Sequence, residues 1–252
     1  MTDTAVPLPA RARDALIVAL DLPEREAALA VARELKGRCG WVKVGMTLYD
    51  AAGPDIVREL RTLGFKVFVD LKLHDIPHQV RGACGVLVRQ GANLFTVHAS
   101  GGRSMLEAAA SATAAAAERF GVPRPAVIAV TVLTSLDDAA LAEMGCAQSA
   151  EEHVAALAAL ARDAGADGIV CSPAEAAGMR ALMGPDALVV TPGVRPTGAA
   201  AGDQSRVATP AEAIAAGASH LVVGRPITEA SDPGAACDAI IAEIETAMQG
   251  RG

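Results

Sequence analysis

Short runs of β-branched and apolar residues alternate with alanine-rich stretches along the whole chain, and this alternation constrains the fold more than any other feature. The pattern is typical of repeated βα units that share a parallel sheet. We count eight units, with an average repeat of about thirty residues. The predicted strands are Leu16 to Asp21, Trp41 to Val44, Lys66 to Leu71, Asn93 to His98, Ala126 to Val132, Gly168 to Cys171, Ala187 to Thr191 and His220 to Gly224.

Eight consecutive βα units without an antiparallel edge strand favour closure into a single (β/α)8 TIM barrel, with an open doubly wound sheet as the alternative. The chain has 252 residues, close to the length of such barrels. It carries no glycine-rich dinucleotide or P-loop signature of an open sheet. No composition break divides it, so we expect one domain over residues 1–252, with about residues 1–14 as a flexible N-terminal extension.

The formal net charge of −7 has the wrong sign for a protein that binds nucleic acid or anionic membrane surfaces. No apolar stretch reaches the roughly 20 residues that span a bilayer, and the first residues lack the features of a signal peptide. The five cysteines are odd in number and far apart, as expected of reduced thiols. We therefore expect a cytoplasmic protein with no nucleic-acid or membrane partner.

Ionisable side chains occupy inward positions at the ends of the first three strands. In the third strand, period-two geometry directs Val67, Val69 and Leu71 towards the helices and leaves Asp70 and Lys72 inside the barrel. The same geometry places Lys43 and Asp21 inside. An isolated Asp–Lys pair is more often structural than catalytic, but desolvating four charges is costly. The cluster therefore predicts a bound, charged substrate at the carboxyl end of the barrel, where barrel enzymes keep their active sites.

The last two units carry features suited to an anion. Thr191-Pro-Gly-Val-Arg195 ends the seventh strand, and Gly224-Arg225 ends the eighth and opens a helix. Guanidinium groups and free backbone N–H groups at these places predict a phosphate site, which barrels commonly have after strands seven and eight. Gly224 alone is equally consistent with a tight turn. The long segment 196–209 has the profile of a lid over a ligand.

Three other polar groups leave alternatives open. His74 and His78 have the spacing of a metal pair, but Pro77 argues against a helix there, so we predict no metal site. His98 is interpreted as a core or rim histidine. Thr134, at the end of the fifth strand, either contacts a ligand or caps the backbone.

Eight segments in order along the chain together resemble one enzyme family, the orotidine 5′-phosphate decarboxylases, in its bacterial subgroup. They are Ala19-Leu-Asp21, Lys43-Val-Gly45, Asp70-Leu-Lys72-Leu-His-Asp75-Ile-Pro, Val97-His-Ala-Ser-Gly-Gly102, Thr131-Val-Leu-Thr134-Ser, Val190-Thr-Pro-Gly-Val-Arg195, Gly202-Asp-Gln204 and Val223-Gly-Arg-Pro-Ile227. The Asp-x-Lys-x-x-Asp motif alone is less specific, because related sugar-phosphate enzymes carry a similar one.

The resemblance implies a homodimeric barrel that converts orotidine 5′-monophosphate to UMP and carbon dioxide, the last step of de novo pyrimidine synthesis, without metal or cofactor. By position, Lys72 would stabilise the carbanion at C6 and protonate it, flanked by Asp70 and Lys43, while Asp75 would come from the partner subunit. The remaining implied substrate contacts are Asp21 to the ribose, Thr134 to the pyrimidine, Gln204 to the closed lid, and Arg195, Gly224 and Arg225 to the phosphate.

One departure from the family pattern follows Pro77, where the family usually has Asn-Thr and this chain has His78-Gln79. Gln79 is the candidate to replace the threonine near the ribose across the dimer interface. Two other functions stay open from the residues themselves. One is a metal-dependent decarboxylase or aldolase-type enzyme for a keto-sugar phosphate, and the other is a non-catalytic barrel that binds a phosphosugar or nucleotide.

Overall fold

The computed structural model describes residues 6–196 and 208–250. Its eight strands are all parallel and pair in sequence order, and β8 pairs with β1 to close a barrel. This confirms the predicted TIM barrel and rules out the open sheet. The strands are β1 (Leu16–Ala19), β2 (Trp41–Gly45), β3 (Lys66–Leu73), β4 (Leu94–His98), β5 (Ala126–Val130), β6 (Gly168–Val170), β7 (Leu188–Thr191) and β8 (His220–Val223).

Strand ends differ from the predicted ends mainly at the mouth of the barrel. β1 ends at Ala19, so Asp21 lies beyond the strand, and β5 ends at Val130 rather than at Val132. β3 instead runs two residues further than predicted, to Leu73. Residues at the carboxyl ends leave or join the ladder according to their partners on neighbouring strands, which a single strand's composition does not encode.

Helices surround the barrel and connect its strands. They are α1 (Ala12–Ala15), α2 (Arg25–Leu35), α3 (Met46–Ala52), α4 (Asp55–Thr62), α5 (Pro77–Gln90), α6 (Arg103–Phe120), α7 (Asp138–Glu143), α8 (Ala150–Asp163), α9 (Ala176–Met183), α10 (Pro210–Ala215), α11 (Arg225–Thr228) and α12 (Pro233–Gln249). Short 3₁₀ turns cover Ala99–Gly101 and Pro173–Glu175. No helix of the described residues is long and apolar enough to cross a membrane.

The argument from Pro77 against a helix is wrong. α5 begins at Pro77, and its C-cap Gly91 has a left-handed φ of 90°. Proline is favoured at the first helical position, because its missing N–H has no intrahelical partner there and its φ already suits a helix. His74 precedes α5 and His78 lies in its first turn, and both are exposed. Among the described residues, no group of three or more His, Cys, Asp or Glu side chains could hold a metal ion.

The strands bury both faces, in two separate apolar layers. Leu16, Val18, Val67 and Val69 pack in the layer between the sheet and the helices. The second layer fills the barrel, with members that include Ile17, Ala19, Trp41, Phe68, Leu94, Ile128, Val190 and Val222. The predicted alternation in β1, β2 and β3 is therefore confirmed, and it brings Lys43 and Asp70 to the inner face.

The floor of the barrel, at the amino ends of the strands, holds a small polar and aromatic cluster. The Trp41 and His220 rings meet edge to face at 5.7 Å, and the Lys66 ammonium lies 5.3 Å from the Trp41 ring centre. Burial, with a smaller contribution from Lys66, lowers the pKa of His220 to about 3. Val6, only 4% exposed, belongs to the same inner layer, so the chain before β1 packs against the barrel.

Candidate active site

A cavity of about 480 Å³ opens at the carboxyl ends of the strands. Apolar side chains of the inner layer, including Phe68, Val170, Val190 and Val222, form part of its wall. Eight of the predicted site residues line it: Asp21, Lys43, Asp70, Lys72, Thr134, Arg195, Gly224 and Arg225. The position is the one at which barrels of this architecture carry their active sites.

Acidic and basic groups alternate in a chain across one wall of the cavity. The Lys43 ammonium lies 2.8 Å from Asp21 Oδ1 and 3.5 Å from Asp70 Oδ2, and the Lys72 ammonium lies 2.9 Å from Asp70 Oδ1. Lys43 and Asp70 are the most buried members, with side chains 9% and 12% exposed, whereas Lys72 is 31% exposed. Each buried charge has an opposite neighbour, and the Lys72 ammonium is the cation that reaches into the open space.

Asp70 is the centre of this chain and stays ionised. Burial alone would raise the pKa of its carboxyl group, but the Lys43 and Lys72 ammonium groups oppose that effect. Hydrogen bonds from Lys72 and from the Thr96 hydroxyl add to the opposition, so the pKa lies below its usual value. The site therefore presents a fixed anion beside two cations at neutral pH.

The Lys72 backbone is held in an unusual conformation. Its φ of 50° is the only positive φ among the described non-glycine residues. A left-handed conformation costs a non-glycine residue about 1–2 kcal/mol, and such residues cluster at functional sites. The Lys72 N–H donates a 2.8 Å hydrogen bond to the Thr96 hydroxyl of β4 rather than to a backbone carbonyl of the sheet.

Gly45 leaves room for the first ion pair of the chain. A Cβ atom at this position would lie 2.5 Å from Asp21 Oδ1 and 2.9 Å from the Lys43 ammonium. Both distances are shorter than van der Waals contact, so any side chain at residue 45 would displace one of the two charged groups. Gly45 also pairs with Asp70 across β2 and β3, so it lies beside both Asp21 and the strand position of Asp70.

A second part of the cavity wall, at the ends of β7 and β8, gathers groups suited to an anion. Arg225 begins α11 directly after Gly224, which follows β8, and Arg195 follows β7. Arg195 is 9% exposed and donates a hydrogen bond to the Val194 carbonyl at 3.1 Å. Both guanidinium residues line the cavity, at the place where the sequence predicts a phosphate site. Thr134 lies between this wall and the charge chain in the order of strands.

Two predicted residues, Asp75 and Gln79, do not line this cavity. Asp75 and Gln79 are exposed, and Asp75 lines a separate surface cleft with His74, Ile76, Pro77, Ser100 and Gly101. Gln204 lies outside the described residues, as does most of the predicted lid.

His98, predicted as a core or rim histidine, is half-buried and stacks on His74 at 5.4 Å. Burial, followed by His74 and Lys72, lowers the pKa of His98.

Thr96 and Gly45 are site residues that the sequence analysis did not single out as functional. Thr96 follows Leu94 by two positions in β4, and Leu94 faces the barrel interior. A hydroxyl at an inward position of an apolar strand is the signal that could have identified Thr96. Gly45 is part of the Lys43-Val-Gly45 segment, and its closeness to Asp21 depends on how the end of β1 meets β2.

A closed parallel barrel with a charged cavity at the carboxyl ends of its strands defines the class of the protein: a (β/α)8 enzyme. Residues 14–240 match the model of the orotidine 5′-phosphate decarboxylase / HUMPS family. The chain belongs to this family.

Proteins similar to this chain are named orotidine 5′-phosphate decarboxylases. The orotidine 5′-phosphate decarboxylase of Moorella thermoacetica is 52% identical over 93% of this chain and 93% of its own length. That of Halorhodospira halophila is 54% identical over 96% of this chain and 99% of its own length. The crystal structure of the enzyme from Lactobacillus acidophilus superposes with a TM-score of 0.81 at 41% identity, and covers 92% of this chain and 99% of that one.

Proposed function

We propose that the protein converts orotidine 5′-monophosphate to UMP and carbon dioxide, the last step of de novo pyrimidine synthesis. The observation that carries this proposal is the chain Asp21–Lys43–Asp70–Lys72, whose terminal ammonium reaches a cavity that Arg195 and Arg225 also line. A ligand with a reacting carboxylate at one end and a phosphate at the other matches that distribution of charge. The names of the family's curated members support the same substrate.

The proposed chemistry depends on Lys72. Cleavage of the bond between C6 and the carboxylate leaves an electron pair on C6, in the plane of the pyrimidine, where the ring π system cannot take it up. The Lys72 ammonium stabilises this pair electrostatically and then donates a proton to C6, and it recovers the proton from water. Asp70 lies 2.9 Å from the Lys72 ammonium, so it both orients the lysine and faces the departing carboxylate. Lys43 holds Asp70 from the other side.

The remaining cavity residues would bind the parts of the substrate that do not react. Arg225, Arg195 and the backbone at Gly224 bind the phosphate, Asp21 binds the ribose and Thr134 binds the pyrimidine. Gln204 would contact the substrate as part of the closed lid. Binding energy gained at the distant phosphate can then be used to close the site and lower the barrier at C6.

We also propose a homodimer in which each subunit supplies Asp75 to its partner's cavity. Asp75 is exposed within one chain, and its neighbour Ile76 is 64% exposed, which is unusual for a large apolar residue next to a charged site. Both residues precede α5, so a partner packed on this edge would bury Ile76 and bring Asp75 and Gln79 towards a second cavity. No metal or cofactor takes part in the proposed reaction. We further propose a single-domain protein in the cytoplasm, where its five free cysteines would stay reduced.

The first test is turnover of orotidine 5′-monophosphate by purified protein in excess EDTA. Wild type should release UMP, Lys72→Ala should lose activity while keeping its circular dichroism spectrum, and Lys66→Ala should stay active. Lys66 is a matched control because it lies in the same strand but at the floor of the barrel. Folded wild type without turnover would refute the proposal, and turnover of a keto-sugar phosphate that requires magnesium would favour the alternative enzyme.

The shared site is tested separately by mixing two inactive variants. Heterodimers of Lys72→Ala and Asp75→Asn chains contain one cavity with both native residues, so mixing should restore part of the activity. Subunit exchange is verified by mass spectrometry of the intact dimers. If the exchanged heterodimers stay inactive, Asp75 does not act across the interface.

A further inference from the structure

The Thr96 hydroxyl connects the two residues at the centre of the charge chain. It accepts the Lys72 backbone N–H at 2.8 Å and donates to Asp70 Oδ1 at 3.0 Å. A hydroxyl group has one hydrogen to donate and lone pairs to accept with, so it can make both bonds at once. Thr96 is completely buried, so its hydroxyl is enclosed by protein.

The pairing of β3 with β4 explains why a side chain is needed here. Val69 pairs with Phe95, but the next pair is Leu73 with Val97. Three residues of β3, from Asp70 to Lys72, therefore lie opposite the single residue Thr96. Such a bulge re-aims side chains next to active sites, and it also removes backbone groups from the ladder. The Thr96 hydroxyl replaces the lost ladder partner of the Lys72 N–H.

The left-handed residue Lys72 is part of the bulge. Lys72 has a φ of 50°, and this conformation sends its side chain to the cavity wall beside Asp70. An unfavourable backbone conformation persists only where surrounding contacts hold it. Thr96 is the side chain that contacts the Lys72 backbone and the Asp70 carboxylate together.

We propose that Thr96 is a positioning residue for the reaction, which holds the Lys72 backbone and the Asp70 carboxylate in their reactive arrangement. This inference rests on the proposed decarboxylation. Thr96 does not line the cavity among the described residues, so it acts through Lys72 and Asp70 rather than on the substrate. Its removal should therefore slow the chemical step and leave binding of the phosphate and ribose nearly unchanged.

The test compares Thr96→Val with Thr96→Ser. Valine keeps the shape and removes the hydroxyl, whereas serine keeps the hydroxyl and removes a methyl group. A small misplacement of reacting groups costs on the order of 100-fold in rate, so T96V should lose kcat by about that factor. T96S should recover most of the loss. Affinity for UMP, measured by calorimetry, should stay within about threefold in both variants, because the phosphate and ribose contacts are retained.

A control variant separates this role from the general cost of removing a buried hydroxyl. Thr113 is also completely buried, and its hydroxyl donates to the Ala109 carbonyl within α6, away from the cavity. Thr113→Val should keep the wild-type kcat. If T96V does not fold, Thr96→Ala replaces it, and the difference between Thr96→Ala and T96S again isolates the hydroxyl.

The outcomes of these assays decide whether Thr96 positions Lys72 and Asp70. Folded T96V with a kcat within about twofold of wild type overturns the positioning role, and so does a T96S variant as slow as T96V. A parallel loss of UMP affinity would indicate a collapsed site and would also count against it. Wild type without turnover overturns the proposed function and this role together, whereas active wild type with fast T96V overturns the role alone.

Discussion

The left-handed backbone of Lys72 predicts that a smaller residue without a Cβ atom should stabilise the barrel at this position. We compare Lys72→Gly with Lys72→Ala, because both variants remove the same ammonium and the same ion pair with Asp70. The two variants differ only in the Cβ methyl group, and therefore in the backbone conformations that residue 72 can adopt. At ordinary positions glycine is less stable than alanine by about 0.5–1 kcal/mol, because it loses more freedom on folding.

The magnitude follows from the φ of 50°. The left-handed conformation penalises a residue with a Cβ atom by about 1–2 kcal/mol, and glycine escapes this penalty. Lys66, which begins the same strand, does not have a positive φ and serves as the reference. The glycine-minus-alanine difference in unfolding free energy should therefore be about 1–2 kcal/mol more favourable at residue 72 than at residue 66.

Urea denaturation of the four variants, followed by circular dichroism, measures these differences. The order of stability should reverse between the two positions, with glycine favoured at residue 72 and alanine at residue 66. The same glycine-minus-alanine difference at both positions would refute the idea that Lys72 carries backbone strain. A confirmed reversal would mean that the fold gives up stability to place one ammonium group.

Three further predictions concern other parts of the molecule. Gly45→Ala should lower kcat/KM for orotidine 5′-monophosphate by at least tenfold, because its Cβ would lie 2.9 Å from the Lys43 ammonium. The control Gly178→Ala, in open space on α9, should be fully active and slightly more stable than wild type. His220 should make the barrel less stable in acid. Its pKa is lowered to about 3 in the folded protein, so only the unfolded chain takes up the proton below about pH 6.5. When the pH falls from 7.0 to 5.5, the unfolding free energy of wild type, measured by urea titration, should therefore decrease by about 1 kcal/mol more than that of His220→Gln. Arg225→Ala should raise KM by about 10-fold to 100-fold with a smaller effect on kcat in steady-state assays, since one charged hydrogen bond contributes about 1.5–3 kcal/mol; an unchanged KM would remove this residue from the phosphate site.

Much of the barrel could be predicted because the residues that form it report directly on burial. Val67 and Val69 alternate with Phe68 and Asp70, and only one assignment of the two faces places the valines against helices. The inward direction of Lys43 and Asp70 follows from the same rule. The helix at Pro77 was missed because proline was interpreted as a helix breaker and not as a first helical residue.

The details that the sequence could not supply depend on contacts between strands. The left-handed φ of Lys72 has no signal in its residue type, since lysine has no preference for that region. The bulge opposite Thr96 depends on the register between β3 and β4, which emerges only when the barrel closes. Asp75 is exposed, and the motif that contains it does not report on exposure.

The floor of the barrel determines what the protein's fluorescence can report. Trp41 is the only tryptophan of the chain, and it is 1% exposed between His220 and Lys66. Lys43, the nearest member of the charge chain on β2, lies two residues further along, about 7 Å towards the mouth. Tryptophan emission should therefore report on the folding and unfolding of the barrel, whereas ligand binding in the cavity will need a different optical probe.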